Sequence, residues 1–109
     1  MNSQELIDNV RQWGIDRGIT GPQGQGTLIS QLDKAYEEYV ETLTAAHNKD
    51  RYETIDGIGD MTVCLILAAE LAGTTFEECL EAAWMQIRDR KGKMVDGKFV
   101  KEKPTNTEQ

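Results

Sequence analysis

The sequence predicts an all-α fold: an antiparallel bundle of about four helices that completes its core by oligomerising and ends in a short irregular tail. Three observations predict it. Apolar residues recur at helical spacing in four segments. Glycines or capping residues stand between those segments, and the links between the second, third and fourth are short, which favours antiparallel neighbours. A chain of 109 residues is expected to form one helical domain over residues 1–109, with a core that gains from partner subunits.

Taken in order, Leu6, Ile7, Val10, Trp13 and Ile15 define a first helix from about Ser3 to Arg17, with Gly18 as its stop. The glycine-rich stretch GITGPQGQG follows. It has no GK[ST] and no preceding strand, so it reads as a mobile connector or lid rather than a phosphate loop. Thr27 caps a second helix with Leu28, Leu32, Ala35, Tyr36, Tyr39 and Leu43 on its apolar side, ending near His47–Asn48. A third runs from Asp50 or Arg51 to Ala72 and stops at Gly73. Thr75, with Glu78 three residues on, makes a capping box for a fourth helix carrying Phe76, Leu80, Ala83, Trp84 and Ile87. Trp84 and Met85 read as bundle or subunit-interface residues. After Arg90, KGKMVDGKFVKE carries a DG turn signal and reads as a hairpin-like tail, and residues 103–109 are a polar, frayed end.

Composition narrows the function. The chain is 39% apolar and 28% charged, with net charge −7 and a pI near 4.6. Such a balance argues against direct nucleic-acid binding, which calls for a dominant basic patch. Cys64 and Cys79 sit in apolar helical patterns without framework spacing and read as reduced core residues of a cytoplasmic protein. The run Met61–Ala72 is too short to span a bilayer and is broken by Glu70, so no membrane partner is expected.

Two acidic clusters carry the chemistry. In EEYVE, Glu38 and Glu41, or Glu37 and Glu41, share a helix face, and alone they would read as a solvated surface. The third helix is more informative. Glu53, Asp56 and Asp60 lie on one stripe that continues through Val63 and Leu67. Asp60 stands where the helix turns apolar, so a cation or hydrogen-bond donors are expected beside it. Gly57 and Gly59 each cost about 1 kcal/mol in a helix interior and suggest close backbone approach or room for a ligand. Two facing helices with closely spaced carboxylates make an all-oxygen pocket, which suits a hard divalent cation, Mg²⁺ above all. With one histidine, His47, and no CxxC, zinc is disfavoured, as is a di-iron centre built on Glu-x-x-His pairs.

The order EExxE, a connector, an acid-x-x-x-Asp entering an apolar helix and then a basic segment resembles the MazG-type all-α nucleoside triphosphate pyrophosphohydrolases. The resemblance covers roughly Trp13 to Lys101, and the ending RDRKGKMVDGKFVKE is similar to small stand-alone members from bacteriophage genomes. Glu37-Glu38-Tyr39-Val40-Glu41 matches the first motif fully, and Asp60 matches the last residue of the family's ExxD. The glutamate of ExxD falls on Gly57, a departure from the pattern. Asp56, one turn before Asp60, is the preferred replacement; Glu53, in the literal ExxD of Glu53-Thr54-Ile55-Asp56, is the other.

The resemblance implies hydrolysis of a nucleoside or deoxynucleoside triphosphate to the monophosphate and pyrophosphate. It assigns Glu38, Glu41, Asp56 and Asp60 to Mg²⁺ (or Mn²⁺) and makes Glu37 or Glu38 the base that orients the attacking water. A host-cytoplasm location would follow for a phage-encoded member, and dimers or tetramers are the expected assemblies. Arg90 and Lys91, in the densest basic patch, are candidates for phosphate contact, ahead of Arg88 and Lys93. Lys34, one turn before the acids, either meets substrate or pairs with Glu37 or Glu38. Trp13 either stacks on a base or, the reading preferred from its spacing, packs in the core. Two alternatives stand beside this one: a helical interaction or regulatory protein that kept the fold without catalysis, and a hydrolase of an alarmone of the ppGpp type.

Overall fold

The computed structural model describes residues 1–103; all but the first residue of the expected frayed end lies outside the described residues. The elements are α1 (Ser3–Asp16), α2 (Leu28–His47), α3 (Arg51–Leu71), α4 (Phe76–Ile87), β1 (Gly92–Val95) and β2 (Lys98–Lys101). They divide into two compact units, Met1–Cys79 and the chain from Leu80 onward.

Each helix start has its cap. Asn2 and Glu5 form a reciprocal capping box on α1, at 2.8 and 2.9 Å. The Thr27 and Asp50 side chains accept from the N–H groups of Ser30 and Glu53, each at 3.1 Å. The Thr75 hydroxyl accepts from the Glu78 N–H at 3.1 Å. The box expected there is only half built, because the Glu78 carboxylate accepts instead from the Thr74 hydroxyl at 2.7 Å. Both expected stops, Gly18 and Gly73, sit at φ near +75° and +82°, a left-handed conformation that ends a helix and favours glycine.

In the first unit, α2 packs along α3, and α1 crosses α3. Thr42 of α2 meets Gly57 of α3, while Glu38 and Asp60, and Gln31 and Leu67, line one cavity. The residue numbers therefore run in opposite directions along the pair, and α2 and α3 are antiparallel. Gly57 is buried, and a Cβ there would fall inside the Thr42 hydroxyl, which donates to the Glu38 carbonyl at 2.6 Å. Close helix approach is thus the reason for this glycine. A Cβ at Gly59 would meet nothing within 4 Å, so only Gly57 answers the sequence-based expectation. Gly14 plays the same part where α1 passes Leu67, the most deeply buried side chain of the core. Ala45, Cys64, Ile66, Ala68 and Ala69 complete that core. Burying a leucine contributes about 1.5–3 kcal/mol, and the alanines let the helices come close enough to achieve it.

Several expectations need correction. The expected apolar side of α2 is largely open: Leu32, Tyr36, Tyr39 and Leu43 are exposed, whereas Thr42 and Ala45 are buried. Only small side chains fit at the close α2–α3 contact, which turns the large ones outward. Trp13 is 41% exposed rather than a core residue, because Gly14 takes the contact with α3. Cys64 is buried as expected, but Cys79 is exposed; both are free thiols. The glycine-rich connector is tied by its own backbone: the Gln25 and Gly26 N–H groups donate to the Gly18 and Ile19 carbonyls, each at 2.9 Å. No helix of the described residues is long and apolar enough to cross a membrane.

Arg11 joins three elements of this unit. Its guanidinium donates to Asp8 at 2.8 Å, to Glu70 of α3 at 2.9 Å, and to Glu77 in the first turn of α4. Glu77 also accepts from Gln4 at 2.7 Å. That bond, a bond to its own backbone and the nearby Arg11 hold its carboxyl below the ordinary range, against a smaller opposing effect of burial. A depressed carboxyl stabilises the fold above its unfolded pKa, and the contribution is lost as pH falls through the folded value. Glu77→Gln is therefore expected to melt below wild type at pH 7, with the gap closing once the pH drops beneath the depressed value. Melting curves from pH 7 to pH 2 measure this; a gap that persists in acid would exclude the ionised pair as its source.

In the second unit no α4 residue is buried, and Leu80, Trp84, Met85 and Ile87 are all exposed. The tail is the hairpin that its DG signal announced and not irregular chain: β1 and β2 run antiparallel, pairing Gly92 with Lys101 and Val95 with Lys98. Asp96 and Gly97, both at positive φ (50° and 80°), make its turn. Two such residues match the right-handed twist of the strands, the reason a DG pair announces a hairpin.

Candidate functional site

One cavity of about 540 Å³ opens in the first unit. Residues Ser30, Gln31, Lys34, Glu37 and Glu38 of α2 recur at helical spacing along one wall, and Asp60, Val63, Cys64 and Leu67 of α3 do so along the other. Trp13 of α1 and Ile19 of the connector close the remaining side. Ile19 is fixed there because its N–H donates to the Gly14 carbonyl at 2.9 Å. The antiparallel packing gives the cavity two ends. Glu38, Asp60, Glu37 and Lys34 make one acidic; Trp13, Ile19 and Leu67 make the other largely apolar, with the Gln31 amide and the Ser30 hydroxyl as its polar groups.

The acidic end is electrostatically crowded. Glu38 and Asp60 are half-buried. Partial burial lifts the Glu38 carboxyl above its usual range, Glu41 and then Asp60 add to the rise, Lys34 opposes it and Asp56 adds a little more. Acids from both helices thus act on one carboxylate. Burial, and then the negative charge of Glu38, push the Cys64 thiol up as well, so it stays protonated at neutral pH. Lys34 is exposed and 3.7 Å from Glu37, a long, solvent-screened pairing that leaves its ammonium free to meet a ligand.

Not every expected residue reaches the cavity. Glu41 and Asp56 are exposed and lie outside its lining, though both act on Glu38. Glu53 is exposed in the first turn of α3, where its N–H meets the Asp50 cap. Arg90 and Lys91 belong to the second unit and are exposed, as is Arg88, which pairs with Asp89 at 3.4 Å. Trp13 lines the cavity, and the Arg17 guanidinium lies over one face of its ring, 5.5 Å from the centroid. Sequence reading missed Ile19, Ser30 and Gln31. Ser30 and Gln31 stand one and two turns before Lys34 and Glu38 on the same helix face, so extending the acidic stripe backwards would have found them. Ile19 left no such signal.

The donor set suits a hard divalent cation: carboxylate oxygens from two helices raise one another's cost of ionisation, and a cation would offset that cost. Among the described residues, no three His, Cys, Asp or Glu side chains are drawn into a group able to hold a metal ion by themselves. The chain matches no protein-family model, no curated protein and no solved structure.

Proposed function

We propose that the first unit hydrolyses a nucleoside or deoxynucleoside triphosphate to the monophosphate and pyrophosphate with the help of Mg²⁺ or Mn²⁺. The observation that carries the reading is the meeting of acids from EEYVE with Asp56 and Asp60 of α3 around Glu38, in a cavity that Trp13 also lines. In this reading Glu38 and Asp60 would hold the cation from opposite helices, and Glu41 and Asp56, whose charges act on Glu38, would complete the acidic ligand set. Asp56 is favoured over Glu53 for the position vacated by Gly57, since Asp56 acts on Glu38.

A bound divalent cation supplies charge neutralisation at the triphosphate and a lowered pKa for water. The protein residues do the rest. Glu37 or Glu38 accepts a proton from the water that attacks the α-phosphorus. A P–O bond forms there, the bond from that phosphorus to the bridging oxygen breaks, and pyrophosphate leaves with the electron pair. Lys34, at the cavity edge, meets the outer phosphates. Trp13 offers its face to the base, and Ile19, Val63 and Leu67 keep water from that end. A second copy of the chain is part of the proposal, as a dimer or tetramer. Tyr36 (65% exposed), Tyr52 (76%), Ile55 and Ile58 are large apolar side chains of α2 and α3 left open to solvent, and a partner copy would cover them.

The test is incubation of the full chain with each NTP and dNTP, and with ppGpp, in Mg²⁺ or Mn²⁺, followed by product identification. Monophosphate and pyrophosphate from at least one triphosphate are expected. Turnover of ppGpp alone would favour the alarmone reading, and no turnover of any substrate would favour a non-catalytic helical protein.

A further inference from the structure

We infer that Gln31 reads the nucleobase and sets which nucleotide this chain accepts, an inference that rests on the nucleotide reading of the cavity. Gln31 lies seven residues before Glu38 on the same face of α2, and both line the cavity. At 1.5 Å per residue that separation is about 10 Å along the helix. A triphosphate whose α- and β-phosphates sit by Glu38 and Asp60 spans the ribose over that distance and brings its base to Gln31. The surroundings suit a base rather than more phosphate. Trp13 supplies a stacking face, and Ile19 and Leu67 supply apolar edges.

Gln31 is the group at that end equipped to discriminate. Ser30 also lines the cavity, but it offers a single hydroxyl, which already accepts from the Thr27 hydroxyl at 2.8 Å and lacks the paired donor and acceptor of an amide. Lys34 is the next polar residue along the wall and belongs to the acidic end. Gln31 is half-buried and presents one acceptor and two N–H donors on a single planar amide. Every base edge offers donors and acceptors in a fixed order, and a bidentate amide contact separates a matching edge from a mismatched one by about tenfold or more. Stacking on Trp13 distinguishes bases only weakly, since each has a π-face. Selectivity therefore falls to the amide.

The experiment is calorimetric titration of the full chain with non-hydrolysable α,β-imido triphosphates of each base in Mg²⁺, and with inorganic tripolyphosphate as the base-free probe. It is run on wild type, Gln31→Leu and Gln31→Glu. Leucine keeps the helix and the volume while deleting both hydrogen-bonding functions; glutamate removes the donors and keeps the acceptors. Wild type is expected to separate its best and worst bases by tenfold or more. Gln31→Leu should shrink that spread to about twofold with tripolyphosphate affinity unchanged, and Gln31→Glu should reorder the bases towards those with exocyclic amino groups. A base preference that survives Gln31→Leu intact would overturn the inference while leaving the nucleotide reading standing. Equal loss for all bases and for tripolyphosphate would also overturn it, by showing that Gln31 serves the phosphates or the fold. Failure of every nucleotide and of tripolyphosphate to bind wild type would instead remove the nucleotide reading and this inference with it.

Discussion

Glu38→Gln is expected to abolish turnover, by on the order of 10³-fold, while making the metal-free protein more stable. The two effects have one cause. The Glu38 carboxyl is raised above its usual range by partial burial and by the charges of Glu41, Asp60 and Asp56. A carboxyl whose folded pKa lies above its unfolded value favours folding fully only below the unfolded value, and that contribution is lost as pH rises through the folded one. At neutral pH the ionised Glu38 therefore opposes folding, and a neutral glutamine relieves the repulsion. Like charges one turn apart cost a few tenths of a kcal/mol, which corresponds to a rise of roughly 1–4 °C in melting temperature for a domain of this size. The gain should be present at pH 7 and vanish in acid, where Glu38 itself is neutral. Asp60→Asn should lose activity to a similar degree. A Glu38→Gln protein that is both active and unchanged in stability would show that these acids are a solvated surface.

Gly57 carries the second large effect. A glutamate at this position would complete ExxD on paper, yet Gly57→Glu is expected to separate α2 from α3 instead of improving the site. The Cβ alone would collide with the Thr42 hydroxyl, and forcing volume into a packed contact costs about 1–3 kcal/mol. Gly57→Ala isolates that cost. Helix propensity favours alanine over glycine by about 1 kcal/mol, so a net loss of stability would show that packing wins. Gly59→Ala is the control: the added methyl would have no neighbour within 4 Å, and the propensity gain should appear undiminished. Shortening the opposing side chain with Thr42→Ala should recover most of what Gly57→Ala loses, giving a coupling measurable in a double-mutant cycle. Additive losses would place the strain elsewhere.

Much of the fold could be read from the residues, because its signals are local. The caps at Thr27 and Thr75, the stops at Gly18 and Gly73 and the DG turn each act within a few residues. What could not be read depends on how elements meet. Trp13 has the spacing of a core residue, but Gly14 beside it lets α1 approach Leu67 and leaves the indole in the cavity wall. The large side chains of α2 follow an apolar stripe, yet Thr42 and Ala45 make the contact with α3. Both cases have the same physical origin: where helices pack closely, small residues are buried and large ones are displaced. The site divides in the same way. Glu38 and Asp60 were legible as a facing pair, whereas Ile19 depends on how the connector closes on Gly14. The departure at Gly57 leaves the motif short of one carboxylate, and of the two readings its sequence allowed, close backbone approach is the one that holds: it is a packing requirement between the two helices that carry the acids.

The central claim is that acids from α2 and α3 form one divalent-cation site, and Mn²⁺ binding followed by electron paramagnetic resonance tests it without reference to turnover. In the presence of an α,β-imido triphosphate, wild type is expected to bind Mn²⁺ at the cavity, and Glu38→Gln and Asp60→Asn should each weaken that binding by about tenfold or more. Undiminished Mn²⁺ affinity in both variants would contradict the claim and return EEYVE to an ordinary charged surface.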